Sequence, residues 1–288
     1  MKNSSALLRY VGSMTIFGTI GLFVRGIPLS SGAIAMVRGF VGAAFLALVM
    51  LVKKQKPAFP AIRKELWKLL LSGAMIGFNW ILLFEAYRYT TVAVATLCYY
   101  LCPIFVLIAS PFTTGERLTA KKVCCVLAAL AGMVLVSGVL NGSVPTRGEL
   151  RGVALGIGAA ILYAGITVIS HGIRQTPPTD KTVVQLFTAG VVLAPYVLLT
   201  GTGGTLSLPQ TGLLVLVGIV HTGLAYLLYF GSLPELPIQT AAICGYIDPI
   251  VAVLLSALLL HEPMTLLTGI GAVLIIGAAI VSELKSES

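Results

Sequence analysis

Charge is scarce in this chain. Asp, Glu, Lys and Arg make up 10% of its 288 residues, while 57% are hydrophobic. A soluble domain carries roughly 25% charged residues. This little charge cannot cover a water-facing surface, so the chain is read as living in lipid. Acidic residues are the rarer sign, 10 against 19 Lys and Arg. That excess is read as the charge bias of membrane topology, with no acidic or nucleic-acid partner implied. His171, His221 and His261 are the three histidines and show no metal-ligand spacing. Gly-x-Ser-x-Gly, His-Glu-x-x-His and a Walker-type phosphate loop are all missing, which argues against hydrolases, zinc proteases and ATP-driven pumps. No cofactor or metal is expected. Cys98, Cys102, Cys124, Cys125 and Cys244 all fall in apolar segments, and Cys98-x-x-x-Cys102 is no zinc spacing. No soluble domain, low-complexity tract or cleavable signal is evident. Lys2 and Arg9 precede an apolar run without a small-residue cleavage site, so the first helix is expected to stay.

Long apolar runs are plentiful. A spanning helix needs roughly 20 apolar residues, which predicts ten spans near 8–26, 32–52, 65–86, 91–112, 120–140, 150–171, 181–200, 210–231, 238–260 and 265–283. With the N-terminus inside, 14 of the basic residues fall on the inner side and 4 on the outer. This is a strong positive-inside bias, and ten spans return the C-terminus to the same side. Gly73-x-x-x-Gly77 and Gly152-x-x-x-Gly156 offer weak signals of close helix contact.

The run 84–119 lies over 230–265 without a gap at an offset of 146. Cys98 meets Cys244, Tyr100 meets Tyr246, Pro103 meets Pro249 and Glu116 meets Glu262. Further out Phe17 meets Tyr163 and Trp80 meets Tyr226, and at an offset of 147 Arg38 meets Gln185. The chain therefore reads as two units, 1–143 and 144–288. Five helices per unit is an odd number, so the second unit enters the membrane from the opposite side. Inverted repeats of this kind exchange conformations around a site near the midplane. The expected architecture is all-α and integral to the membrane, with ten helices in two inverted repeats and both termini cytoplasmic.

Ionisable and polar groups are costly at depth and become candidates for function. Asp248 precedes Pro249 mid-way along the ninth predicted span and could bind a cation or take up a proton; it could instead pair with Arg38 or cap loosened backbone. Arg38 could clamp a carboxylate through its planar fork, or form a fixed ion pair with Glu85 or Asp248. Glu85 is a coupling or gating candidate that could also simply reach the outer interface. His221 is a coupling candidate or a packing histidine. Asn79 and Trp80 offer donors, although Trp80 could belong to an interfacial belt. Tyr99, Tyr100 and Tyr246, with Phe17 and Tyr163, form an aromatic set suited to a side chain or an organic cation, or to helix packing. Glu116 and Glu262, ahead of Thr119 and Thr265, read as fixtures at helix ends.

The string LLFEAYRYTTVAVATLCYYLCPIFVLIASPFTTGERLT resembles the fourth-helix signature of the drug/metabolite transporter superfamily, in its ten-helix EamA-type branch. YIDPIVAVLLSALLLHEPMT is similar to the signature of its second half, and Arg38 in MVRGFVGA stands where that family commonly has an arginine. The resemblance implies a central cavity lined by both halves and secondary transport of small metabolites, often export of amino acids. It implies no single substrate and no role for Asp248. On this reading the chain is a multi-pass protein of a prokaryotic cytoplasmic (inner) membrane, a monomer or weak dimer. It exports a small amphiphilic metabolite, with a proton gradient as one driving force. Uptake or exchange of an organic cation is the alternative. An intramembrane enzyme, a lipid flippase and a passive channel are disfavoured.

Overall fold

The computed structural model describes residues 2–24, 26–90, 92–137, 149–259 and 266–283. Helices α1 (Lys2–Val24), α2 (Ser31–Val52) and α3 (Phe59–Tyr89) open the chain. Next come α4 (Val92–Tyr99), α5 (Cys102–Thr113), α6 (Ala120–Ser137), α7 (Glu149–His171) and α8 (Pro178–Thr200). A continuous run follows: α9 (Leu208–Leu216), a π-helical turn (Val217–Leu224), α10 (Ala225–Ser232) and a short 3-10 turn (Leu233–Glu235). The chain closes with α11 (Ile238–Cys244), α12 (Ile247–Leu259) and α13 (Leu266–Glu283). No strand occurs among the described residues. Seven helices there are long and apolar enough to cross a membrane. Their outward faces are apolar too: Leu198 is 85% exposed and Phe112 88%. In water such a surface would drive aggregation, whereas in lipid it faces acyl chains.

Both Tyr-x-x-Pro motifs break a helix. Proline lacks an N–H and clashes with the carbonyl four residues back, so it fits best in a first helical turn, although membrane helices also tolerate it inside, as α5 does Pro111 and α8 Pro195. Pro103 opens α5 and Pro249 opens α12. The two breaks touch, because the Tyr246 hydroxyl donates to the Tyr100 carbonyl at 2.8 Å and the rings lie 6.0 Å apart. Phe40 and Phe187, also equivalent in the repeat, pack edge-on at 5.7 Å.

Glycine sets the closest helix contacts. A Cβ on Gly73 would fall 2.7 Å from Thr188 Cβ and 2.8 Å from the Gln185 carbonyl, while one on Gly77 would fall 3.0 Å from the Ala189 carbonyl. Gly73 and Gly77 thus seat α3 against α8; Gly156 does the same for α7 against α4, where a Cβ would fall 2.9 Å from Cys98. Backbone cannot yield as a side-chain tip does. Gly73→Val should therefore cost about 1–3 kcal/mol, read as a lower melting temperature in detergent. Gly12→Ala, with nothing within 4 Å of the added carbon, should not lower it.

Carboxylates tie the loops. Glu65 accepts from the Thr176 N–H at 2.9 Å, its hydroxyl at 2.7 Å and the Arg174 N–H at 3.3 Å. Glu116, beyond α5, accepts from the N–H groups of Ile238 and Gln239 at 2.7 and 3.3 Å, where α11 begins. Both carboxylates satisfy backbone donors near a helix start. The expected counterparts of Glu116 and Thr119, Glu262 and Thr265, lie outside the described residues.

Candidate functional site: a bipolar aromatic cavity

A cavity of about 270 Å³ opens between α1, α2, α3, the α4–α5 break, α7, α10 and the α11–α12 break. Arg38, Asn79, Trp80, Tyr99, Tyr100 and Asp248 all line it. Of the remaining sequence candidates, Tyr246, Glu85 and His221 do not.

Asp248 lies in the first turn of α12, opened by Pro249. The backbone N–H groups of a helix start favour a carboxylate, which helps explain an acid at this depth. The Tyr100 hydroxyl faces it. Arg38, on α2, donates its Nε–H to Thr222 Oγ1 at 3.0 Å, and its guanidinium carbon lies 5.1 Å over the Trp80 ring. The expected alternative of a fixed ion pair from Arg38 to Glu85 or Asp248 is not what forms among the described residues. Glu85 instead pairs with Arg88 at 3.0 Å and accepts from the Tyr196 hydroxyl at 2.8 Å. The reason is proximity: Arg88 is one turn away on the same helix, so that pair forms locally. Tyr246 is fully buried behind the cavity and braces the break from there.

Aromatic rings make up much of the wall. Tyr99 stacks on Tyr163 at 5.3 Å with planes 5° apart, and Phe17 meets Tyr226 edge-on at 4.9 Å. Trp80 is buried against Tyr226 at 6.2 Å, so it belongs to this wall and not to an interfacial belt. Asn79 spends an amide proton on the Ala159 carbonyl at 2.6 Å, tying α3 to α7.

His221 is buried near Arg38's partner Thr222. Thr19 Oγ1 lies 2.7 Å from the Ile16 carbonyl and shares a hydrogen bond with His221 Nε2 at 2.8 Å. The buried Nδ1 of His221 has no hydrogen-bond partner among the described residues. Thr222, Tyr10 and Tyr229 are site residues that sequence reasoning missed. Nothing in a lone apolar-helix threonine signals an arginine 184 positions away. Tyr229 lies three residues beyond Tyr226, whose repeat partner is Trp80, and that spacing was the available signal.

The chain matches the EamA-like transporter family over residues 4–138 and again over 150–283. The chain belongs to that family. It is 31% identical over 255 residues to the uncharacterized transporter YxxF of Bacillus subtilis (strain 168), covering 88% of this chain and 82% of that one. An uncharacterized transporter of Archaeoglobus fulgidus is 26% identical over 273 residues, covering 94% and 93%. A protein of known crystal structure shares the fold with a TM-score of 0.82 at 20% identity, over 97% of this chain and 96% of that one. The protein is therefore a multi-pass membrane transporter.

Proposed function

We propose that the protein is a secondary active exporter of a small amphiphilic metabolite, an amino acid or a close relative. In this reading ten helices form two inverted five-helix repeats, divided near residue 143, and alternate access around the cavity. Arg38 takes the carboxylate, Asp248 the ammonium, and the rings of Tyr99, Tyr100 and Trp80 the side chain. The carrying observation is that a cation and a carboxylate line one cavity without forming an ion pair with each other. A volume of about 270 Å³ suits a small metabolite, since drug-sized pockets run to roughly 300–1,000 Å³. Contacts between the repeat-equivalent pairs Tyr100 with Tyr246 and Phe40 with Phe187 support a local two-fold axis. Asp248 is also the group through which a proton gradient could couple.

The reading is tested by thermal melts of the detergent-purified protein with amino acids, quaternary ammonium compounds, nucleobases and sugars. A ligand at about 100 times its Kd adds roughly 2.7 kcal/mol, which shifts the melt upward. Zwitterionic amino acids should stabilise. Stabilisation by quaternary ammonium compounds alone would replace this reading with cation transport. Labelling that puts residues 53–64 and 201–209 on one side of the membrane would sink the inverted repeat.

A further inference from the structure

The long helix that carries Thr222 leaves α geometry between Val217 and Leu224, where its turns widen to π. Widened turns of this kind occur frequently at functional sites. Here the widening gives one hydroxyl a defined job. Thr222 Oγ1 donates to the Val217 carbonyl five residues back, at 3.4 Å. A hydroxyl has a single proton. With it directed at Val217, the oxygen turns lone pairs outward, and Arg38 Nε–H donates to them at 3.0 Å. The Trp80 ring covers one face of the guanidinium. Both terminal nitrogens of Arg38 are left without a protein partner among the described residues, on a side chain that lines the cavity. A guanidinium held at Nε presents its two terminal nitrogens end-on. That edge can meet both oxygens of a carboxylate through parallel hydrogen bonds.

The register between the two helices is fixed by close packing. A Cβ on Gly218 would fall 2.5 Å from Val41 Cγ1, and one on Gly223 would fall 3.0 Å from Phe45 Cδ1. The π turn therefore sits tightly on α2 on both sides of Thr222, and Arg38 reaches the hydroxyl from a seated helix.

We infer that Thr222, oriented by the π turn, is a positioning residue that aims Arg38 for two-pronged capture of a carboxylate. The site thereby selects a carboxylate over the corresponding amide. This inference rests on the proposed amino-acid reading and adds the device that sets its selectivity.

The test is calorimetric titration of the purified protein with L-leucine and with L-leucinamide. Wild-type protein should prefer leucine. Thr222→Val should raise the leucine Kd roughly 10- to 100-fold, the scale of a lost hydrogen bond to a charged group. The leucinamide Kd should stay within about twofold, because the amide never engaged both prongs. Thr222→Ser keeps the hydroxyl and should restore wild-type selectivity. If Thr222→Val weakens both ligands alike, Thr222 acts through packing alone and the inference is overturned. An unchanged leucine Kd would overturn it equally. Arg38→Gln separates the two levels of the argument. If that variant binds leucine as wild type does, the carboxylate reading itself falls. If it loses leucine while Thr222→Val keeps it, only the role of Thr222 falls. Wild-type protein that binds neither probe ends both.

Discussion

Arg38→Gln should weaken amino-acid binding at least about 30-fold while leaving the unliganded protein as stable as before. Truncating one partner of a hydrogen-bonded charge pair costs roughly 2–5 kcal/mol, because the other charge is left desolvated and alone. Here the partner would be the ligand carboxylate, so the loss appears only in binding. In the empty protein the guanidinium holds one hydroxyl and one ring face and makes no ion pair among the described residues. Removing a charge that no acid offsets also removes its desolvation cost. Gln is moreover the residue the second half carries at the equivalent position. Gln185 is fully buried and donates to Ser72 Oγ at 2.6 Å and Ser170 Oγ at 3.0 Å. The melt of the unliganded variant should therefore match or exceed wild type, while the upward shift with amino acids disappears. A variant that melts well below wild type would make Arg38 a structural residue. Arg38→Lys keeps the charge without the fork and should recover only part of the affinity.

Glu116→Ala should unlatch the opposite end of the transport path. Its carboxylate holds the N–H groups of Ile238 and Gln239, joining the segment after α5 to the start of α11 across the two proposed repeats. Gln239 reinforces the joint by donating to Ser110 Oγ at 2.7 Å. A hydrogen bond to a charged group contributes about 1.5–3 kcal/mol. Losing two in one conformation should therefore shift a two-state equilibrium by at least about 10-fold. Cys102 reports on this, since it is buried and lines the cavity. In a background where Cys98, Cys124, Cys125 and Cys244 are replaced, Glu116→Ala should speed alkylation of Cys102 at least about 10-fold from the side predicted to be cytoplasmic. Reaction from the other side should slow. Equal acceleration from both sides would mean general loosening, and no change would remove the latch.

The sequence determined more of the fold than of the site. Apolar runs with little charge have one favourable environment, and backbone in lipid must satisfy itself, so helices followed from composition alone. That the predicted spans 91–112 and 238–260 each break at Tyr-x-x-Pro, while Pro111 and Pro195 stay inside α5 and α8, was decided by tertiary structure. The duplicated motif marked only where a helix loses an N–H, a local effect of proline. Candidate site residues were legible for a similar reason: Arg38, Asp248 and the tyrosines are expensive in lipid wherever the fold carries them. Their partners were decided by tertiary structure. Whether Arg38 met Glu85, Asp248 or neither depended on which helix faces turned together, and Glu85 was taken by Arg88 one turn away. Thr222 owes its part to a widened turn and to Gly218 and Gly223 seating it on α2, a contact between segments 184 residues apart. Hydrophobic patterning fixes which stretches are helical, since it acts within one turn. Pairing of polar groups is fixed only by packing, because a hydrogen bond needs its atoms within about 3 Å and no local spacing encodes that across two helices.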